Sequence, residues 1–197
     1  YKGNGSIEED LDEMITETLA IPWNVQTVYS NWKLIMHKFE QALKESNDPE
    51  RLSKKYADRI NYLLQALCDS VNGNTDFIHN LNQHVERKIS TDSRIPINPV
   101  ITKNAYIRVF AAEKDSYKRA LGFFTKCMEP LGHYDYNTFK ILIDMFFQKQ
   151  RNQQIDYVQL NNISMISKRT LPFPVARSYH DRSSLFGFFQ ARMEEVF

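Results

Sequence analysis

Five carboxylates crowd one short stretch near the start of the chain: Glu8, Glu9, Asp10, Asp12 and Glu13. Paired carboxylates of this kind can hold a metal ion or carry out acid–base chemistry. They also suit the first turns of a helix, where the dipole favours negative charge, and a solvated helix start is the expectation here. Other reactive types are scattered. His79 and His84 are five residues apart, which puts them on different faces of a helix. Cys68 and Cys127 are distant from each other, and no Cys-x-x-Cys or Cys/His grouping has metal-ligand spacing. His180, Asp181, Ser183 and Ser184 have the letters of a hydrolytic triad but no strand–turn–helix setting. Six glycines stand singly, so no loop is built to cradle phosphate. No enzyme, metal, cofactor or small-molecule substrate is expected.

Charge gives little direction: 25 basic and 24 acidic residues leave a formal net charge of +1. Any nucleic-acid surface would have to be a local patch. Two cysteines suggest a reducing compartment without a disulfide framework. Charges interrupt every apolar run, so no membrane span is expected. The opening YKGNGS lacks an initiator Met and signal-peptide character, as expected of a processed or truncated chain whose targeting segment is missing.

The elements that would position functional groups are helices. Residues 7 to 20 carry a stripe of Ile7, Leu11, Met14 and Ile15, extended by Leu19. Further helices are expected at about 31–46, 52–71 and 74–88. The first of these has Trp32, Ile35, Met36, Phe39, Ala42 and Leu43 on one face. Leu63, Leu64, Leu67 and Cys68 mark the second, and Phe77, Leu81 and Val85 the third. Gly73 would turn the chain between them. Pro96 and Pro99 lie in KISTDSRIPINPV, the best candidate for an extended connection. Three segments follow from this: an N-terminal helical half over 1–89, a connection over 90–101, and a second helical half over 102–197.

In the second half, helices are expected at about 102–113, 115–129, 137–149 and 184–196. Tyr106, Val109 and Phe110 mark the first. Tyr117, Ala120, Leu121, Phe124 and Met128 mark the next, and Phe139, Leu142, Ile143 and Phe146 the third. Asp115-Ser116 can cap the middle helix, Pro130 and Gly132 can end it, and Asp135 or Asn137 can cap the one after. Buried anchors should include Trp32, Phe39, Leu64, Tyr106, Leu121, Phe124, Leu142 and Phe146. No strand pair stands out, and the fold class is all-α.

The segments from Ala105 and from Thr138 share an aromatic followed three residues on by an apolar doublet, 33 residues apart. A helical hairpin repeating at 30-odd residues is the mark of an α-solenoid. The stretch ALGFFTKCMEPLGHYDYNTFKILID resembles the join between two pentatricopeptide repeats. It does so through Ala120, Leu121, Phe124, Met128, Gly132, Asp135, Thr138, Phe139, Leu142, Ile143 and Asp144. It departs in being about two residues short and in having one residue inserted before Met128.

The resemblance, to a degenerate fungal-mitochondrial-like member, implies an irregular α-solenoid of antiparallel hairpins in the mitochondrial matrix. It also implies binding of single-stranded RNA in RNA maturation, stability or translation. It puts Arg108 and Ile141 at the inner base-reading position, with Asp135 or Tyr136 at the junction. Arg108 could contact phosphate or stack on a base, whereas Ile141 has no hydrogen bond to offer. Lys103, Lys140 and Lys149, expected on the exposed face with Arg108, could hold a phosphate backbone. From Lys168 to Arg182, basic residues including Arg177 and Arg182 alternate with Phe173 and Tyr179. That pattern suits contact with bases, phosphates or a partner, and equally an ordinary packed loop. The alternative function is a non-enzymatic protein-interaction scaffold within a large ribonucleoprotein or other assembly.

Overall fold

A computed structural model of the chain describes residues 6–20, 24–71, 74–113 and 116–149. Among them there are seven α-helices and no strand. They are α1 (Ile7–Ala20), α2 (Val25–Glu45), α3 (Pro49–Asp69), α4 (Thr75–Thr91), α5 (Pro99–Val109), α6 (Ser116–Phe123) and α7 (Tyr136–Lys149). No helix among the described residues is long and apolar enough to cross a membrane. The helix expected at 184–196 lies outside them, as do Gly73 and the Asp115 cap.

Side-chain caps set the helix starts. Asn24 accepts hydrogen bonds from the Gln26 and Thr27 amides, Asp48 from Arg51, and Asn74 from Phe77. Each satisfies an amide that the helix itself leaves without a partner. Pro49 and Pro99 occupy first helical positions, where a missing N–H costs nothing. The Asn24 cap explains why α2 begins six residues before the expected boundary and takes Val28 into the core.

The chain divides into two compact units, Tyr1–Thr102 and Lys103–Phe197, with the division inside α5. In the first unit α2 packs against both α1 and α3. The α2 stripe of Trp32, Ile35, Met36, Phe39, Ala42 and Leu43 is buried throughout, as are Leu63, Leu64, Leu67 and Cys68 of α3. On α4 the buried stripe is Ile78, Leu81 and Val85, while Phe77 is half-buried and edge-on to Tyr29 at 5.1 Å.

The extended connection is shorter than the expected 90–101. Helix α4 runs to Thr91 and α5 starts at Pro99. The connection is held to α3: Asn61 donates to the Pro96 carbonyl at 2.9 Å and accepts from the Asn98 amide at 2.7 Å. Ser53 donates to the Arg94 carbonyl.

In the second unit α6 packs on α7. Their core joins Ile107, Phe110, Tyr117, Ala120, Phe124, Met128, Phe139, Leu142, Ile143, Met145 and Phe146. Tyr106 and Leu121, expected as buried anchors, are partly buried and pack against this cluster. The buried face of α5 is turned from the expected stripe, so that Ile107 is enclosed and Val109 half-buried. After Phe123 the helix widens into a π turn over Phe124–Met128 and then tightens into a 3₁₀ turn over Glu129–Leu131. A π turn is the form an extra residue takes within a helix. Gly132, at φ +67°, ends the run in the left-handed conformation that glycine adopts without steric cost.

Candidate nucleic-acid interface

Of the described residues expected to meet RNA, Lys103 and Asp135 are engaged within the second unit, whereas Arg108 is exposed and Lys140 half-buried. Lys103 is the clearest correction: it was expected on the exposed face and is 3% exposed. Its amine donates to the Cys127 carbonyl at 3.2 Å and to His133 Nδ1 at 2.5 Å. An ammonium group has only donors, so His133 Nδ1 carries the lone pair in this contact. The Lys103 charge is directed into the second unit, towards the carbonyl of the π turn.

Asp135 is engaged in folding. Its carboxylate accepts from the Thr138 amide at 3.0 Å, and the Thr138 hydroxyl accepts in return from the Asp135 amide at 3.0 Å. This reciprocal arrangement starts α7, as a capping box does. The same carboxylate accepts from Asn104 Nδ2 at 3.1 Å, and the Thr138 hydroxyl donates to Asn104 Oδ1 at 2.7 Å. Thr138 is fully enclosed and Asn104 nearly so. Three polar side chains thus tie the second turn of α5 to the first turn of α7. Asn104 and Thr138 stand 34 residues apart, close to the offset at which the sequence repeats itself.

Arg108 is exposed, in the last turn of α5, where a cation complements the helix dipole. Lys140 is half-buried, with its amine 5.3 Å from the centroid of the Tyr136 ring on the preceding turn. Ile141 is partly buried against the core. Half-buried aromatic rings lie nearby in sequence: Tyr106 is 4.9 Å from Phe123, and Tyr134 is 6.0 Å from Phe124. Arg119 is paired with Glu113 and lies over the Phe110 ring at 5.0 Å. The side chain of Lys149, together with Arg177 and Arg182, falls outside the described residues.

In the acidic start of α1, Glu9 and Glu13 are exposed as expected of a solvated helix start, while Glu8, Asp10 and Asp12 have partners as well. Glu8 pairs with Lys55 at 3.2 Å and Arg51 at 3.4 Å, Asp10 with Lys38 at 3.5 Å, and Asp12 with Arg59 at 2.9 Å. Tyr56, fully buried, donates its hydroxyl to Asp12 at 2.8 Å and lies 3.0 Å from the Glu8 carbonyl. Lys55 and Arg51 hold the Glu8 carboxyl below its ordinary range. Burial acts to raise Asp12, but hydrogen bonds from Tyr56 and Arg59 prevail and lower it. Burial, and then the bond to Asp12, push the Tyr56 phenol upward. Glu8, Asp10 and Asp12 are fastenings to α2 and α3. Among the described residues no group of three metal-ligating side chains comes together.

Sequence reasoning missed the roles of Asn104, Thr138 and His133. The Asp135-x-x-Thr138 spacing was a capping signal in plain view, but the partner on α5 has no local mark. No protein-family model, curated protein or solved structure matches this chain.

Proposed function

We propose that the chain is a non-enzymatic, degenerate pentatricopeptide-like helical module, an irregular α-solenoid, that binds single-stranded RNA in the mitochondrial matrix. Its role would lie in RNA maturation, stability or translation. The observation that carries this reading is the Asn104–Thr138–Asp135 junction. It joins two helices one repeat length apart through their N-terminal portions, as stacked repeats require. Arg108 lies one turn beyond Asn104 on α5, and Ile141 one turn beyond Thr138 on α7. This supports reading the pair expected to face successive bases as lying on neighbouring helices.

The candidate RNA-binding groups narrow accordingly. Lys103 and Asp135 serve the fold, which leaves Arg108 and Lys140 as the described cations of the binding face, with Arg177 and Arg182 as further candidates. Binding should be phosphate-led and weakly selective. Arg108→Ala with Lys140→Ala should lower affinity for every single-stranded sequence alike and reduce the salt slope by about one for each phosphate no longer neutralised. The check is binding of labelled single-stranded and duplex RNA at two salt concentrations.

The burial of Lys103 favours a second reading, a protein-interaction scaffold within a ribonucleoprotein or other assembly. It removes Lys103 from the cations that the RNA reading calls on. A folded chain that binds no RNA at low salt decides for the scaffold.

A further inference from the structure

In the first unit, the indole N–H of Trp32 on α2 donates to Nε2 of His84 on α4 at 3.1 Å. Trp32 is fully enclosed, so no water can replace that acceptor. The bond requires a neutral imidazole whose proton sits on Nδ1. Beside it a cavity of about 510 Å³ opens along the α2–α4 seam, lined by Glu40, Lys44, His84, Arg87, Lys88, Thr91 and Asp92. The imidazole is thus enclosed on the tryptophan side and reachable by solvent on the other.

We infer that the Trp32–His84 hydrogen bond is a pH-operated latch on the α2–α4 seam. Proton uptake at His84 Nε2 removes the acceptor, leaves two N–H groups facing each other, and loosens α4 from α2. The surrounding charges favour the neutral, latched form. Lys33 on α2 and Arg87 and Lys88 on α4 oppose a further positive charge. Glu40 on α2 would favour one but is bridged by Lys88 at 3.0 Å. Lys44 and Asp92 complete the cavity wall, and Tyr29 meets the imidazole edge-on at 6.3 Å between centroids.

Burial pushes the His84 imidazole below the ordinary histidine value of 6.5, and Lys88 and Arg87 act in the same direction. A base lowered in this way binds its proton more readily once the seam is open. The latch is therefore fully effective above pH 6.5 and is lost as the pH falls below it. Glu8 and Asp12, lowered from 4.5 and 3.8, titrate in a separate, more acidic range.

The test uses the full chain with Trp23→Phe, so that Trp32 alone reports, between pH 8 and pH 5. Hydrogen exchange of the α4 amides, corrected for intrinsic rates, should show an opening constant rising up to about tenfold per pH unit below the histidine value. Trp32 emission should shift to the red over the same range. His84→Gln keeps a carbonyl acceptor and cannot titrate, so both responses should be flat in that variant. A wild-type chain with no pH response, or a His84→Gln variant that follows the wild type, overturns the latch. Should His84→Gln fail to fold, the His84 ring resonances of the wild-type chain decide. Titration below 6.5 together with the Trp32 change supports the latch, and titration without any Trp32 change overturns it.

Discussion

The first unit fastens its helices from outside, the second from within. In the first, apolar stripes are flanked by ion pairs that cross between helices at the surface: Glu8 to Arg51 and Lys55, Asp10 to Lys38, Asp12 to Arg59, and Glu40 to Lys88. In the second, the seams are closed by an aromatic cluster around Phe124, by the enclosed Asn104–Thr138 pair and by the inward Lys103. Exposed ion pairs respond to salt and pH, whereas enclosed packing and hydrogen bonds between groups that do not titrate respond weakly. The same helical material is thus held by two kinds of force, and each unit has its own vulnerability.

The sharpest way to probe this contrast is Phe124→Ala. Phe124 is fully enclosed, with Phe139 at 5.4 Å and Tyr134 at 6.0 Å between ring centroids. Its loss should destabilise the second unit by about 3–5 kcal/mol. Denaturant unfolding should show that loss unchanged at high salt. A strong salt dependence would break the distinction.

Thr138→Val comes next. It keeps the shape but leaves Asn104 Oδ1 and the Asp135 amide without the threonine hydroxyl. Orphaned enclosed polar groups cost about 1–3 kcal/mol. Hydrogen exchange should rise first at the start of α7, whereas equal loosening throughout the unit would argue against a local fastening.

The smallest effect belongs to the surface. Arg51→Ala removes one half-exposed partner of Glu8 and should cost at most about 1 kcal/mol, vanishing at high salt. Acid should act on the same region. Because Glu8 and Asp12 are lowered in the folded chain, their contribution is present above ordinary carboxylate values and is lost as the pH falls through the lowered ones. Exchange in α1 measured on descending pH should show that loss before the second unit responds. Simultaneous loosening of both units would contradict the comparison.

Legibility in the sequence followed the same division of forces. The stripes of α2, α3, α6 and α7 were readable because one buried face imposes a 3.6-residue period. The rotation of α5 was not. Ala105, Ile107 and Phe110 are enclosed together with Thr102, Lys103 and Asn104, so polar residues share its buried side and blur the period. The candidate interface suffered from the same cause. Lysine is ordinarily a surface residue, and nothing around Lys103 announces that the Cys127 carbonyl and His133 wait 24 and 30 residues away. The acidic start of α1 was visible as a helix terminus. Its fastening to Lys38, Arg51, Lys55, Tyr56 and Arg59 depended on a tertiary arrangement that local pattern does not encode.

The π turn at Phe124–Met128 gives the chain a tolerance that ordinary helices lack. Deleting one residue from an α-helix swings every later side chain by about 100° and takes a buried face to the surface. A widened turn contains one residue more than its advance requires. Removing an exposed member such as Lys126 would let the turn close to α geometry, with the flanking anchors Phe124 and Met128 still directed inward. Chain length in this segment can therefore shorten by one without a change of register.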